Sequence, residues 1–503
     1  MASLKSLLND SIVYGASTII GRLINFLLIP FYTSELISSS GEKLKVVSEA
    51  DFGIMTTIYV VIAFLNIIFS FGLETSFFRY TKKLSETQAR NITFTLSLCL
   101  TLILGASLAV LIQQDATGIL TYGHNKVLYM ALAILMIDSL CVIPFAWLRQ
   151  KGHKKEFSLI KLFGILINVV LNIYFLNWCA LDKIPHSLQL EVDSWTIEYI
   201  FLSNIIANGL MLLWLSKDII KIRLELNRPL ISEIIRYSFP LMLLGLAGMV
   251  NEVIDRLMLE RILPPSFYPN LSNIEVVGIY GAAYKLSIFI TIANQAFRFA
   301  AEPFFFKNSG QKDSPHLYAK VLKYYFIFTV IITIGVSLSR NFIGEFLLGS
   351  AGYRVGLDIV PILLLANVFL GVYYNQSIWY KLSDKTYFGT IISIIGASIT
   401  LVLNYIFIPL YGFYACALVT LICYLSMSLL SFIWGHKYYP IPYNYYSLLK
   451  YFLITISFIG LSYTSWFNAL SHLAQFGLAA IGCILLLVYV ILSEKNKITQ
   501  VKA

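Results

Sequence analysis

The sequence predicts an all-α polytopic membrane protein of about fourteen transmembrane helices, arranged as two six-helix bundles around a central cavity plus a C-terminal helix pair, with both termini cytoplasmic. Three observations carry that expectation. Of 503 residues, 58% are hydrophobic and 13% charged, about half the charged share of a soluble domain. Runs of roughly 20 apolar residues, long enough to cross a hydrocarbon core of about 30 Å as helix, recur along the whole chain. Lys and Arg alternate between successive loops, as cations do when they concentrate on the cytoplasmic side.

The elements follow in order. The first run, Ser11 to Tyr32 (SIVYGASTIIGRLINFLLIPFY), is too long for a signal peptide, carries Arg22 and lacks a small-residue cleavage site, so it reads as a true first span. The loop 33 to 51, with Glu35, Glu42, Glu49 and Asp51, is neutral to acidic and hence external, and the second span covers 52 to 73. Arg79, Lys82, Lys83 and Arg90 then mark a cytoplasmic turn before the third span, 91 to 112. The fourth, 127 to 148, runs into Arg149, Lys151, Lys154 and Lys155, and the fifth, 157 to 179, leads to an external loop with Asp182, Glu191 and Asp193. The sixth, 197 to 216, is followed by Lys217, Lys221, Arg223 and Arg228, the seventh is 235 to 254, and the eighth, 276 to 297, precedes Lys307, Lys312, Lys320 and Lys323. Spans nine to fourteen fall near 319 to 339, 357 to 379, 387 to 409, 412 to 434, 449 to 468 and 473 to 492. About 26 of the 37 basic residues are then assigned to the cytoplasmic side, and three, Arg22, Lys285 and Arg298, are read as cations within or at the edge of spans.

This topology accounts for the net charge of +10, because cations in short loops face anionic headgroups. No nucleic-acid partner is needed. The six cysteines (Cys99, Cys141, Cys179, Cys416, Cys423, Cys483) sit inside apolar spans without metal-ligand spacing and read as core thiols. No G-x-x-x-x-G-K-[ST] occurs, so ATP is not expected as an energy source. The longest loops are about 20 residues, and no paired acidic or metal-binding loop motif stands out, which argues against a membrane enzyme. No cofactor or metal is expected.

A repeat is visible at an offset of about 223 to 225 residues. Tyr14-Gly15-Ala16-Ser17 opens the first span as Tyr237-Ser238-Phe239-Pro240 opens the seventh, and Asp51-Phe52-Gly53-Ile54 opens the second as Val277-Gly278-Ile279-Tyr280 opens the eighth. Phe71 to Tyr80 (FGLETSFFRY) and Phe297 to Phe306 (FRFAAEPFFF) close the latter pair. An even number of spans separates the copies, so they share one orientation. The expected division is 1 to 225, 226 to 440, and an appended pair with its tail over 441 to 503.

Arg22 is the most informative residue, because a charge near a bilayer midplane costs roughly 3 kcal/mol and a guanidinium does not shed it. It points to an anion site in a wet cavity; the alternative is a structural Arg tied to carbonyls or to a carboxylate. Polar residues elsewhere share helix faces at i, i+3, i+4, i+7 spacing. The first span has Ser11, Gly15, Thr18, Arg22 and Asn25, and the second Tyr59, Asn66, Ser70 and Glu74. The seventh has Gly245, Gly248, Asn251, Glu252, Asp255 and Arg256, and the eighth Tyr280, Tyr284, Ser287, Thr291, Asn294, Arg298 and Glu302, flanked by Lys285 and Gln295. The candidate ligand set is Arg22, Asn25, Lys285, Thr291, Asn294 and Arg298, cations that suit a phosphate or diphosphate. Any single Ser or Thr here can equally be interhelical glue. Glu74, Asp138, Glu252, Asp255, Arg256 and Glu302 are candidate gating or ion-coupling groups, with Asp255 and Arg256 at an external gate and Asp138 a coupling site for H⁺ or Na⁺.

Gly21-Arg22-Leu23-Ile24-Asn25-Phe26 with Pro30 and Tyr32, then Asp51-Phe52-Gly53, Gly72-Leu73-Glu74, Phe78-Arg79-Tyr80, Asp255-Arg256 and Val277-Gly278-Ile279-Tyr280 together resemble the polysaccharide-biosynthesis flippases of the Wzx type. These belong to the multidrug/oligosaccharidyl-lipid/polysaccharide exporter superfamily, and the resemblance covers most of residues 1 to 430. It implies a monomeric protein of the bacterial inner membrane that moves an undecaprenyl-diphosphate-linked oligosaccharide to the periplasmic leaflet by alternating access, with a polysaccharide polymerase or other assembly proteins as partners. Arg22 is similar in placement to a first-helix arginine of the related lipid II flippases, and Lys285 or Arg298 would be the eighth-helix cation. The second span has no mid-span Arg, which weakens a lipid II reading, whereas the apolar final pair resembles the lipid-tail groove of that branch. A drug/cation antiporter of the same superfamily would want carboxylates, not cations, in its cavity.

Overall fold

The computed structural model describes residues 19–37, 43–114, 125–180, 195–308 and 313–502. Among these residues, twelve helices are long and apolar enough to cross a membrane, and the pair Asn273–Lys285 and Ile288–Arg298 makes a thirteenth span bent by 49°. The apolar helix Ile19–Tyr32 stands where the first span is expected; Ser11, Gly15 and Thr18 lie outside the described residues. The chain is thus a multi-pass, helical membrane protein. Among the described residues the one sheet is a two-stranded antiparallel pair, Glu35–Ile37 with Lys43–Lys45, between the first two spans.

Local sequence sets the helix ends. Ser48 caps the second span by accepting from the Asp51 amide at 3.1 Å, and Ser85 caps the third by accepting from Gln88 at 3.2 Å. Asn227 does the same for Leu230 at 3.3 Å, two residues before the first-turn Pro229. The second span, Glu49–Ser70, is interrupted by Phe71 and Gly72, both left-handed (φ 48° and 66°), before the helix resumes as Leu73–Tyr80. Glycine tolerates that conformation at no steric cost.

Packing separates two compact units, Met1–Gly281 with Thr400–Gly412, and Ala282–Ile399 with Phe413–Ala503. This spatial division places the seventh span with the first six, whereas the division at 225 describes copies along the chain. In the first unit, Leu73, Phe77, Tyr80, Ile92, Ile143 and Ile234 form a buried core linking spans two, three, four and seven. In the second, Ala366, Tyr373, Ile392, Cys423, Tyr424 and Met427 join spans ten, eleven and twelve.

Spans two and eight cross backbone to backbone at the repeat motif. A Cβ on Gly53 would run into the Ile274 carbonyl, and one on Gly278 into the Glu49 carbonyl. Elsewhere the helices present large apolar side chains outward, among them Leu449, Leu473 and Leu485 at 56, 70 and 63% exposure. Such faces suit hydrocarbon and would aggregate in water.

Candidate functional site

Arg22 and Asn25 both stand exposed on the helix Ile19–Tyr32, one turn apart. A guanidinium presented outward from an apolar helix has to find water or an anion, since lipid offers it neither. In the second unit Arg298 is likewise exposed, its guanidinium 5.4 Å from the Tyr374 ring centre. Lys285 is half-buried at the last residue of Asn273–Lys285, where the eighth span bends.

Much of the rest of the eighth-span stripe is spent on contacts within the protein, on either side of the bend between Lys285 and Ile288. Tyr280 is buried and donates to Asp255. Asn294 is buried, with its Nδ2 donating to the Asn367 carbonyl at 2.8 Å and its Oδ1 accepting from the Tyr325 hydroxyl. Thr291 is half-buried and donates to the Ser287 carbonyl of its own helix at 3.2 Å. The side chain of Glu302 lies outside the described residues.

The carboxylates fall into three groups. Asp255 accepts from the backbone amide of Arg256 at 2.9 Å and from its Nη1 at 3.1 Å, besides the Tyr280 hydroxyl. Arg256 also donates to the carbonyl of Glu252 at 2.7 Å, while Glu252 is itself exposed. One turn on, Glu260 accepts from Thr57 of the second span at 3.1 Å, so these charges sit beside the Gly53–Gly278 crossing. Glu74 pairs with Arg149, joining the end of span two to the end of span four. Asp138 accepts from Asn208 Nδ2 of the sixth span at 2.8 Å.

Three groups escaped the sequence reading. Lys161 lies inside the fifth span, its ammonium 4.4 Å from the Phe145 ring centre. A cation within the run 157 to 179 is the signal that could have found it. Glu260 and Arg340 sit at span ends, where a charge reads as an ordinary loop residue. Arg340 is in fact buried, bonding Asp358 at 3.1 Å and the Ser462 carbonyl at 2.9 Å beneath the Tyr463 ring.

A family profile described as "Polysaccharide biosynthesis protein" matches residues 7–309, more than half of the chain. The chain belongs to that family. No curated protein sequence matches significantly. Among solved structures it is similar to "Lipid II flippase MurJ, inward closed conformation", with a TM-score of 0.70 and 17% identity over 96% of this chain and 99% of that one. It is also similar to a MATE transporter in the straight conformation (TM-score 0.59, 15% identity, 89% and 97% covered) and to an inward-facing multidrug resistance MATE family transporter of the MOP superfamily (TM-score 0.56, 14% identity, 90% and 96% covered). At these identities the likeness is one of fold, that of membrane flippases and transporters.

Proposed function

We propose that this polysaccharide biosynthesis protein flips an undecaprenyl-diphosphate-linked oligosaccharide from the cytoplasmic to the periplasmic leaflet of the inner membrane by alternating access. The observation that carries the reading is Arg22, a permanent cation exposed on a membrane helix. Arg grips a diphosphate bidentately, and Asn25 one turn away adds an amide donor. The sugar would cross in water while the lipid tail stays in hydrocarbon. The Asp255, Arg256, Tyr280 and Thr57–Glu260 contacts beside the Gly53–Gly278 crossing act as the external gate. The exposed cations Arg22 and Arg298 favour an anionic cargo over an organic cation.

The test is leaflet translocation of a fluorescent undecaprenyl-diphosphate oligosaccharide by the purified protein in liposomes. Arg22→Ala is expected to slow flipping at least tenfold and Arg22→Glu to abolish it, with Arg22→Lys intermediate because a point charge replaces a fork. Full translocation by both Arg22→Ala and Arg22→Glu sinks the anion-site reading.

A further inference from the structure

Residues 220 to 227 join the sixth span, Trp195–Ile219, to the seventh, Arg228–Ile262. From 222 to 227 the chain is neither helix nor strand, yet it is fastened along the start of the third span. The amide of Arg223 donates to Asn91 Oδ1 at 3.4 Å and the amide of Glu225 to Thr95 Oγ1 at 3.1 Å, while Asn91 Nδ2 donates to the Glu225 carboxylate at 2.8 Å. Amides two residues apart thus meet side chains four residues apart on one helix face, which is how an extended chain matches a helical turn. The buried Arg90, its guanidinium 4.3 Å from the Trp147 ring centre, adds a bond to the Lys221 carbonyl at 3.4 Å. Ile222 packs against the core that contains Leu73 and Phe77.

What this fastened segment presents outward is both apolar and cationic. Ile220, Leu224 and Leu226 are 81, 63 and 75% exposed. Lys221, Arg223 and Arg228 are exposed beside them. Lys221 faces Asp218 at 3.9 Å, and among the described residues neither Arg223 nor Arg228 forms an ion pair.

Their depth says what covers them. Thr95 lies nine residues into the helix Glu86–Gln113, roughly 13 Å from its start at about 1.5 Å per residue. The apolar run of that span begins at Ile92. The bond from Glu225 to Thr95 therefore sets Leu224 and Leu226 level with the first apolar turn of the third span, where headgroups give way to acyl chains. A solvated basic loop is the competing explanation, and it fits the three cations. It does not fit three aliphatic side chains that water disfavours, nor a backbone bonded that far down a membrane helix. Segments that lie in a membrane interface combine both kinds of side chain, apolar ones in the acyl boundary and Lys or Arg on the headgroups.

We propose that this segment is a lipid-binding strap. Ile220, Leu224 and Leu226 enter the headgroup boundary of the cytoplasmic leaflet, and Lys221, Arg223 and Arg228 hold the phosphate of an anionic phospholipid. Cations at that surface are drawn to anionic lipid over no more than a Debye length, and Asn91 and Thr95 keep these three within it. A phospholipid seated there pins the chain's connection from the sixth span to the seventh to the membrane surface, whatever the cargo.

The experiment puts an environment-sensitive fluorophore on Leu224→Cys in the full-length protein, in liposomes of phosphatidylcholine and phosphatidylglycerol that hold no lipid-linked sugar. The unsubstituted protein treated with the same reagent gives the background. A nitroxide on the acyl chain of phosphatidylglycerol is expected to quench the probe at least twofold more than the same nitroxide on an equal amount of phosphatidylcholine, and high salt to erase that preference. Lys221→Gln, Arg223→Gln and Arg228→Gln together should make the two lipids equal. The same fluorophore on Lys82→Cys, in the turn before the third span, is the aqueous reference, quenched by acrylamide and not by the acyl-chain nitroxides. A probe at 224 as open to acrylamide as the one at 82 overturns the strap. Equal quenching by the two lipids with all three cations in place overturns the anionic phospholipid as its ligand.

Discussion

At the scale of single residues, the charges and their fates separate according to how much of their surroundings lies along the chain. Arg22 was legible because a guanidinium in an apolar run is anomalous whatever surrounds it. Asn294 was not. Helical spacing set it on the same stripe as Thr291 and Arg298, yet its amide is spent on Asn367 and Tyr325, contacts more than 30 residues distant that no local pattern shows. Lys161 was passed over because a basic residue near the start of an apolar run ordinarily snorkels to the interface, and only its seat against Phe145 distinguishes it. Asp255 and Arg256 were read as a gate, and the structure shows both buried and bonded to each other. Removing one member of such a pair leaves an uncompensated charge and costs about 3–5 kcal/mol. Asp255→Ala is therefore expected to lower the melting midpoint in detergent sharply, and Asp255→Asn, which still accepts from Tyr280, less so. Parental melting of Asp255→Ala would show that the buried pair contributes nothing.

At the scale of elements, apolar runs and caps located the helices, and the departures came where a helix is broken or bent. Phe71 and Gly72 interrupt the second span with two left-handed residues, and the eighth bends by 49°. A hydropathy pattern is blind to both, since neither changes the composition of the run. The strand pair Glu35–Ile37 with Lys43–Lys45 was likewise read only as a polar loop. The repeat did pick out Gly53 and Gly278, although it could not say that they meet. Valine at 278 puts a side chain against the Glu49 carbonyl, and overpacking of this kind costs about 1–3 kcal/mol. Gly278→Val is expected to part the crossing, so that a cysteine replacing the buried Val276 reacts at least threefold faster with a water-soluble maleimide. Unchanged labelling would mean that the crossing yields without opening.

At the scale of the whole molecule, the second unit shows how the appended helix pair is held. Arg340, just past the end of the ninth span, bonds the Ser462 carbonyl that ends the thirteenth and Asp358 in the first part of the tenth. Bonds from a charged donor contribute about 1.5–3 kcal/mol each, so Arg340→Ala is expected to loosen the pair and speed protease cleavage between 463 and 471. Cleavage at the parental rate would remove Arg340 from that role. By itself the sequence determined the membrane class, the order of the spans and the family, because partition into lipid depends on how apolar each stretch is, a property that reads along one dimension. Only the tertiary structure decided which polar side chains are spent on one another and which remain presented outward. That choice depends on helix rotation, on bends, and on neighbours hundreds of residues away, as Thr57 and Glu260 show.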